Sequence, residues 1–166
     1  MANRGEQNQK IVLFVCTGNL CRSPMAQATM SERLRQSAIH DVAARSAGTW
    51  ASEGAPAAVH TVQVMAERGL DVQHHRAHTI TKADMAEAAL VLGMTRDHVE
   101  ALRLDFPDHA GKIWLFSEMA GRRFDVPDPY GSSLALYRQV ADVITTVLDE
   151  GWGRIVSLAR TPKPDG

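Results

Sequence analysis

The 166-residue chain is poor in cysteine, in net charge and in long apolar runs, and each shortage closes off a class of protein. Only two cysteines occur, Cys16 and Cys21, too few for a disulfide framework. A domain of about 100–200 residues buries enough surface to fold without such staples, so both thiols are available for chemistry and a reducing cytoplasm is the expected compartment. Lys and Arg number 18 against 19 Asp and Glu, for a formal net charge of -1, and no basic cluster breaks the balance. Neither nucleic acid nor an acidic membrane surface is therefore an expected partner. The longest apolar runs, Ile11 to Val15 and Ala88 to Leu92, fall far below the roughly 18 residues that span a bilayer. Met1 to Lys10 is polar, with no apolar segment or small-residue cleavage site that would mark a secretory signal. Linkers, repeats and low-complexity stretches are also missing, which gives a flexible polar leader over 1–9, one domain over 10–160 and a flexible, Pro-containing tail over 161–166.

What is present is an alternation of short apolar runs with longer helical patterns. Lys10 to Cys16 is apolar and β-branched without alternating polarity, as expected of a strand buried on both faces and central in its sheet. Val42 to Ala47, Ala89 to Met94 and Lys112 to Ser117 are similar runs. Helices are predicted over Ser23 to His40, capped by Ser23 with Pro24 at its first turn, and over Pro56 to Arg68, Thr81 to Glu87, Thr95 to Leu104 and Ser132 to Glu150, the last closing at Gly151. Alternating strands and helices imply an α/β fold, a three-layer α/β/α sandwich on a four-stranded parallel sheet. Ligands in such sheets sit beyond the carboxyl ends of the strands.

The first of those ends carries Cys16-Thr17-Gly18-Asn19-Leu20-Cys21-Arg22-Ser23. A strand-loop-helix turn of this length aims successive backbone N–H groups inward at a helix N-terminus, a cradle for a tetrahedral oxyanion. The Lys-Ser/Thr ending of a nucleotide-binding loop is missing, which disfavours Mg-nucleotide binding. In its place stands a thiol, and the field that binds an anion also favours a thiolate able to attack phosphorus. Arg22 can grip two equatorial oxygens of the transferring group, so charge is stabilised without a metal or other cofactor. An aryl leaving oxygen still needs a proton from a carboxylic acid on another loop. Asp128 is the candidate for that role, with Asp125 a nearby competitor that the Asp128-Pro129-Tyr130 context disfavours. Cys21, on the same tight loop, could trap an oxidised Cys16 as a reversible disulfide.

Cys16, five intervening residues and Arg22-Ser23 near the N-terminus, together with Asp128-Pro129-Tyr130 far downstream, resemble the signature of the low-molecular-weight protein tyrosine phosphatase family. The resemblance runs from about Lys10 to Glu150. It implies hydrolysis of protein phosphotyrosine through a phosphocysteine on Cys16, with Asp128 as general acid and then general base, and phosphorylated proteins as partners. It also implies that Asn19, Ser23, Ser46 and His75 brace the phosphate loop. Leu20 and Tyr130 would wall the substrate pocket. Trp50, after the second strand, would be either the opposite rim or an ordinary core residue. His74-His75-Arg76-Ala77-His78 is dense in imidazole but has no cysteine or carboxylate in a ligand pattern, so no metal is assigned.

Three other activities compete. Thioredoxin-coupled arsenate reductases of the same fold relay electrons through downstream cysteines, and none follows Cys21 here. A non-catalytic phosphate-binding module would need neither a thiolate nor an acid. Protein arginine phosphatases resemble this chain around Ala89 to Thr95 and Gly131 to Tyr137, but the position of Leu20 there looks to be Thr and that of Tyr130 Phe, so these two residues favour phosphotyrosine.

Overall fold

The computed structural model describes residues 8–162; most of the predicted leader and of the tail lies outside them. Four parallel strands, β1 (Lys10–Cys16), β2 (Val42–Gly48), β3 (Ala88–Gly93) and β4 (Ile113–Leu115), lie in the order β2-β1-β3-β4. The helices are α1 (Arg22–Gln36), α2 (Val59–Glu67), α3 (Lys82–Glu87), α4 (Arg96–Asp105) and α5 (Leu134–Arg160). β1 is central and buried throughout except at Lys10, because its side chains enter two cores in turn. Val12, Phe14 and Cys16 join residues of α1, α2 and α5 on one face. Leu13 and Val15 join Met85 of α3 and Val99 and Leu102 of α4 on the other. The missing alternation in the sequence is therefore the mark of a strand covered on both sides. An edge-to-face contact between Phe14 and Phe116, 5.6 Å between centroids, ties β1 to the segment after β4.

Several boundaries differ from the sequence reading. α5 does not close at Gly151 but runs on to Arg160. A Cβ at Gly151 would stand 2.8 Å from the Met119 backbone, so glycine here lets the helix press against the 3-10 segment Phe116–Ala120 rather than ending it. That segment also shortens the fourth strand to Ile113–Leu115. α1 ends at Gln36 instead of His40, and α2 begins at Val59 instead of Pro56. Thr81 and Thr95 cap α3 and α4, each through a reciprocal pair with the residue three positions on. Ser23 does not cap α1: the cap position is Cys21, without a side-chain bond, and the Ser23 hydroxyl is committed to the loop before the helix.

Candidate active site

The loop between β1 and α1 is shaped by bonds made to its carbonyls. The Cys16 carbonyl accepts from Thr49 N–H at 2.9 Å, Thr17 from Trp50 N–H at 3.0 Å, and Leu20 from Ala58 N–H at 3.1 Å and the Thr61 hydroxyl at 2.9 Å. The Asn19 carbonyl takes the Nε2–H of His75 at 2.7 Å, which fixes that imidazole's proton on Nε2. Burial pushes the His75 pKa below its ordinary value, consistent with a neutral ring. With its carbonyls drawn outward, no backbone N–H from Thr17 to Arg22 donates to a carbonyl among the described residues. A run of amides left without acceptors at a helix start is an anion nest.

Asn19 holds the turn from inside. It is fully buried with φ of 57°, a left-handed conformation that Asn tolerates better than most residues. Its Nδ2 donates to Ser23 Oγ at 2.8 Å and Ser46 Oγ at 3.0 Å, and its Oδ1 accepts the His78 N–H at 3.0 Å. Ser46 in turn donates to Gln27 Oε1 at 2.6 Å. Ser23 Oγ lies 3.0 Å from Cys16 Sγ. A thiolate can only accept, and with Asn19 occupying a lone pair of Ser23 the hydroxyl proton has two acceptors, Cys16 Sγ and the Ala47 carbonyl at 3.4 Å, of which the sulfur is the nearer.

Cys16, Thr17, Gly18, Leu20, Cys21, Arg22, Asp128 and Tyr130 line one cavity of about 180 Å³. Arg22 is 5% exposed; its Nη1 donates to the Val126 carbonyl at 3.0 Å and its Nη2 stands 3.6 Å from Asp128 Oδ2. The buried Nε has no acceptor among the described residues. A buried guanidinium N–H left unpaired costs about 1–3 kcal/mol, a cost that an oxyanion in the cavity would remove. Asp128 is exposed enough to meet solvent and accepts the Tyr130 N–H at 3.1 Å. Its competitor Asp125 is engaged elsewhere, taking the backbone and Nε protons of Arg96 at 2.9 and 3.1 Å, and those bonds hold its carboxyl below the usual range.

Cys21 lines the same cavity with its Sγ 3.5 Å from the Tyr137 hydroxyl, and burial pushes its thiol pKa up. Both cysteines are free. Tyr130 is 65% exposed at the cavity mouth. Trp50 is not a core residue: it is 84% exposed, on a segment that its own N–H and that of Thr49 tie to the phosphate loop, and it is not among the residues that line this cavity. The histidines of the 74–78 segment diverge, His75 toward Asn19 and His78 between Asp84 and Glu53. No three His, Cys, Asp or Glu side chains gather as a metal cluster among the described residues.

Gln27, Thr61, Tyr137 and His98 escaped the sequence reading. His98 Nε2 lies 2.8 Å from Thr17 Oγ1, although 81 positions separate them. Only the predicted helix over Thr95 to Leu104 marked its neighbourhood. A larger cavity of about 340 Å³ opens toward the start of β3, near Leu90, Trp114 and Leu158, but it has no thiol and no amide cradle.

The family model described as low molecular weight phosphotyrosine protein phosphatase matches residues 11–155. The chain belongs to that family. It is 37% identical to a probable low molecular weight protein-tyrosine-phosphatase, EpsP, of Ralstonia nicotianae, over 90% of this chain and 98% of the relative. It is 35% identical to a protein-arginine-phosphatase of Geobacillus stearothermophilus, over 83% and 90%. Among solved structures, the low molecular weight protein tyrosine phosphatase of T. tengcongensis matches with a TM-score of 0.84 at 38% identity, covering 88% of this chain and 99% of its own. An arginine phosphatase, YwlE, solved as a mutant with a phosphorylated active-site serine, also matches at 0.84, with 32% identity over 90% of this chain and 97% of its own.

Proposed function

We propose that this chain hydrolyses phosphotyrosine in proteins, and aryl phosphates generally, through a phosphocysteine on Cys16. The observation that carries the reading is the buried Arg22, its Nε unpaired, sharing one cavity with Cys16 and Asp128. The Cys16 thiolate attacks phosphorus while the loop amides and Arg22 hold the equatorial oxygens. As the bond to the aryl oxygen breaks, Asp128 gives that oxygen its proton. Water then attacks the phosphocysteine, Asp128 takes a proton from it, and inorganic phosphate leaves as the thiolate is restored. The test is turnover of para-nitrophenyl phosphate in the presence of a chelator, beside Cys16→Ser. The expected result is steady turnover that the substitution abolishes while oxyanion binding survives. A tenth of the rate persisting in Cys16→Ser would remove Cys16 as the nucleophile.

The arginine phosphatase relatives support a second reading of the substrate. Leu20 and Tyr130 both line the cavity and favour an aromatic ring, since methyl groups offer no acceptor to the N–H donors of a phosphoguanidinium. A buried donor without a partner costs about 1–3 kcal/mol, a preference of one to two powers of ten. Matched phosphotyrosine and phosphoarginine peptides should show that preference in kcat/KM, and Leu20→Thr should narrow or invert it. A wild-type preference for phosphoarginine would make that the function.

We further propose that the enzyme acts on phosphorylated proteins in a reducing cytoplasm and that Cys21 protects Cys16 from over-oxidation. Mild peroxide should inactivate it in a thiol-reversible way, less reversibly after Cys21→Ser. Mass spectrometry finding no Cys16 to Cys21 disulfide would discard the protective role.

A further inference from the structure

His98 occupies the third position of α4, 7% exposed, and each of its ring nitrogens has a defined partner. Nδ1 accepts the Thr95 N–H at 3.2 Å while the Thr95 hydroxyl accepts the His98 N–H at 3.2 Å, so the imidazole completes a capping box where a carboxylate or amide usually stands. A lone pair spent at Nδ1 leaves the neutral ring's proton on Nε2, which then donates to Thr17 Oγ1 at 2.8 Å. The Thr17 hydroxyl accepts that bond, and its own proton remains free at the wall of the catalytic cavity.

The same end of α4 also holds the segment that carries Asp128. Arg96 binds Asp125 through its backbone N–H and Nε, and the Val126 N–H donates to the Met94 carbonyl at 3.0 Å. The Val126 carbonyl in turn receives Arg22 Nη1. One helix terminus thus meets both halves of the site, the nucleophile loop through His98 and the acid segment through Met94 and Arg96.

We propose that His98 is a positioning residue for this reaction, its Nε2–H setting the phosphate loop, through Thr17, in register with the segment that carries Asp128. The proposal rests on the phosphatase reading above. The ring is a neutral donor: burial first, and then Arg22 facing it from α1, hold its pKa down to about 4, against the opposing pull of Asp97 on its own helix and of Asp125 and Asp128 on the segment before α5.

The test is a cycle of His98→Ala, Thr17→Val and the double variant, with His98→Gln as the conservative replacement, whose amide is long enough to accept from Thr95 and donate to Thr17 from near the place of Nε2. Steady-state constants are measured for para-nitrophenyl phosphate, with inhibition by inorganic phosphate as a separate readout of the anion cradle. Each single variant should lose about tenfold or more in kcat, since misplacement of about 1 Å costs on the order of 10²-fold. KM and the inhibition constant for phosphate should move less than about threefold, and the double variant should be no slower than the worse single, because both cut one connection. His98→Gln should regain most of the rate. Losses that multiply in the double variant, or a His98→Gln no faster than His98→Ala, would overturn the proposal. So would a Thr17→Val within twofold of wild type, a result that stands even where His98→Ala fails to fold. A wild-type chain with no turnover at all would instead sink the phosphatase reading.

Discussion

Gly48 is where the sheet comes closest to the phosphate loop, and adding one methyl there tests how tightly the loop's position governs the chemistry. A Cβ at Gly48 would stand 2.4 Å from the Thr17 carbonyl oxygen, 3.1 Å from the Asn19 amide nitrogen and 3.2 Å from the Ala51 Cβ. The strand cannot back away, because the Gly48 N–H donates to His78 at 2.8 Å, its carbonyl accepts from Ile80 at 2.9 Å, and it pairs in register with Cys16. The loop must yield instead, by about 0.6 Å or more before the contact becomes tolerable, and overpacking of this kind costs about 1–3 kcal/mol. At about 2–4 °C per kcal/mol for a protein of this size, Gly48→Ala should lower Tm by about 2–12 °C. The displaced atoms flank Cys16 and carry the oxyanion cradle, so kcat should fall by on the order of 10²-fold. Gly151→Ala is the control, since its Cβ would also meet backbone, at 2.8 Å from Met119, but outside the catalytic cavity. It should lose Tm comparably yet keep kcat within about twofold at a temperature where it remains folded. The assay is para-nitrophenyl phosphate turnover beside a thermal melt for both variants. If Gly48→Ala kept kcat within threefold of wild type, the loop's placement would not govern the chemistry as argued. Equal losses of kcat in both variants would refute it too.

Asp128→Asn should slow phenyl phosphate far more than para-nitrophenyl phosphate, because a phenolate of pKa about 10 needs the proton most and general acid catalysis is worth about 10²–10⁴-fold. Equal losses on the two esters would point to Asp125 or to the hydrolytic step. Stability should fall as pH drops from about 6.5 to about 4, since burial and Arg22 hold the folded His98 at about 4 and the unfolded chain then binds the extra proton. That contribution is at most about 3 kcal/mol, absent above the unfolded pKa, and it should vanish in His98→Asn. Urea unfolding at several pH values in both proteins checks it, and superimposable pH profiles would exclude His98 as the source.

The order of elements and the nucleophile loop were legible because both rest on local rules. An apolar run without alternation is a strand covered on both faces, and β1 is that strand. Cys16 to Ser23 combines a thiol, a glycine and a guanidinium within one turn, a composition with few other uses. Gly151 misled because glycine ends helices far more often than it admits a neighbour, and only the Met119 backbone decides between the two. Of the two readings of Trp50 the core one fails, since two backbone bonds hold its segment to the loop at the surface instead of under the sheet.

The sequence by itself determined which groups could do chemistry: a thiol and a guanidinium on a loop at a strand end, and an acid in Asp128-Pro129-Tyr130. Spacing alone kept Asp125 as a competitor, and the Asp-Pro-Tyr context favoured Asp128. The structure separates them, giving Asp125 to Arg96 and leaving Asp128 in the cavity. The sequence could not reveal that the loop's carbonyls are drawn outward by Thr49, Trp50, Ala58, Thr61 and His75, or that His98 reaches Thr17 across 81 positions. The physical reason is common to all of these. Strand and turn preferences act over a few residues and leave a trace in composition, whereas a hydrogen bond between distant segments depends on where the packed layers bring them and leaves none.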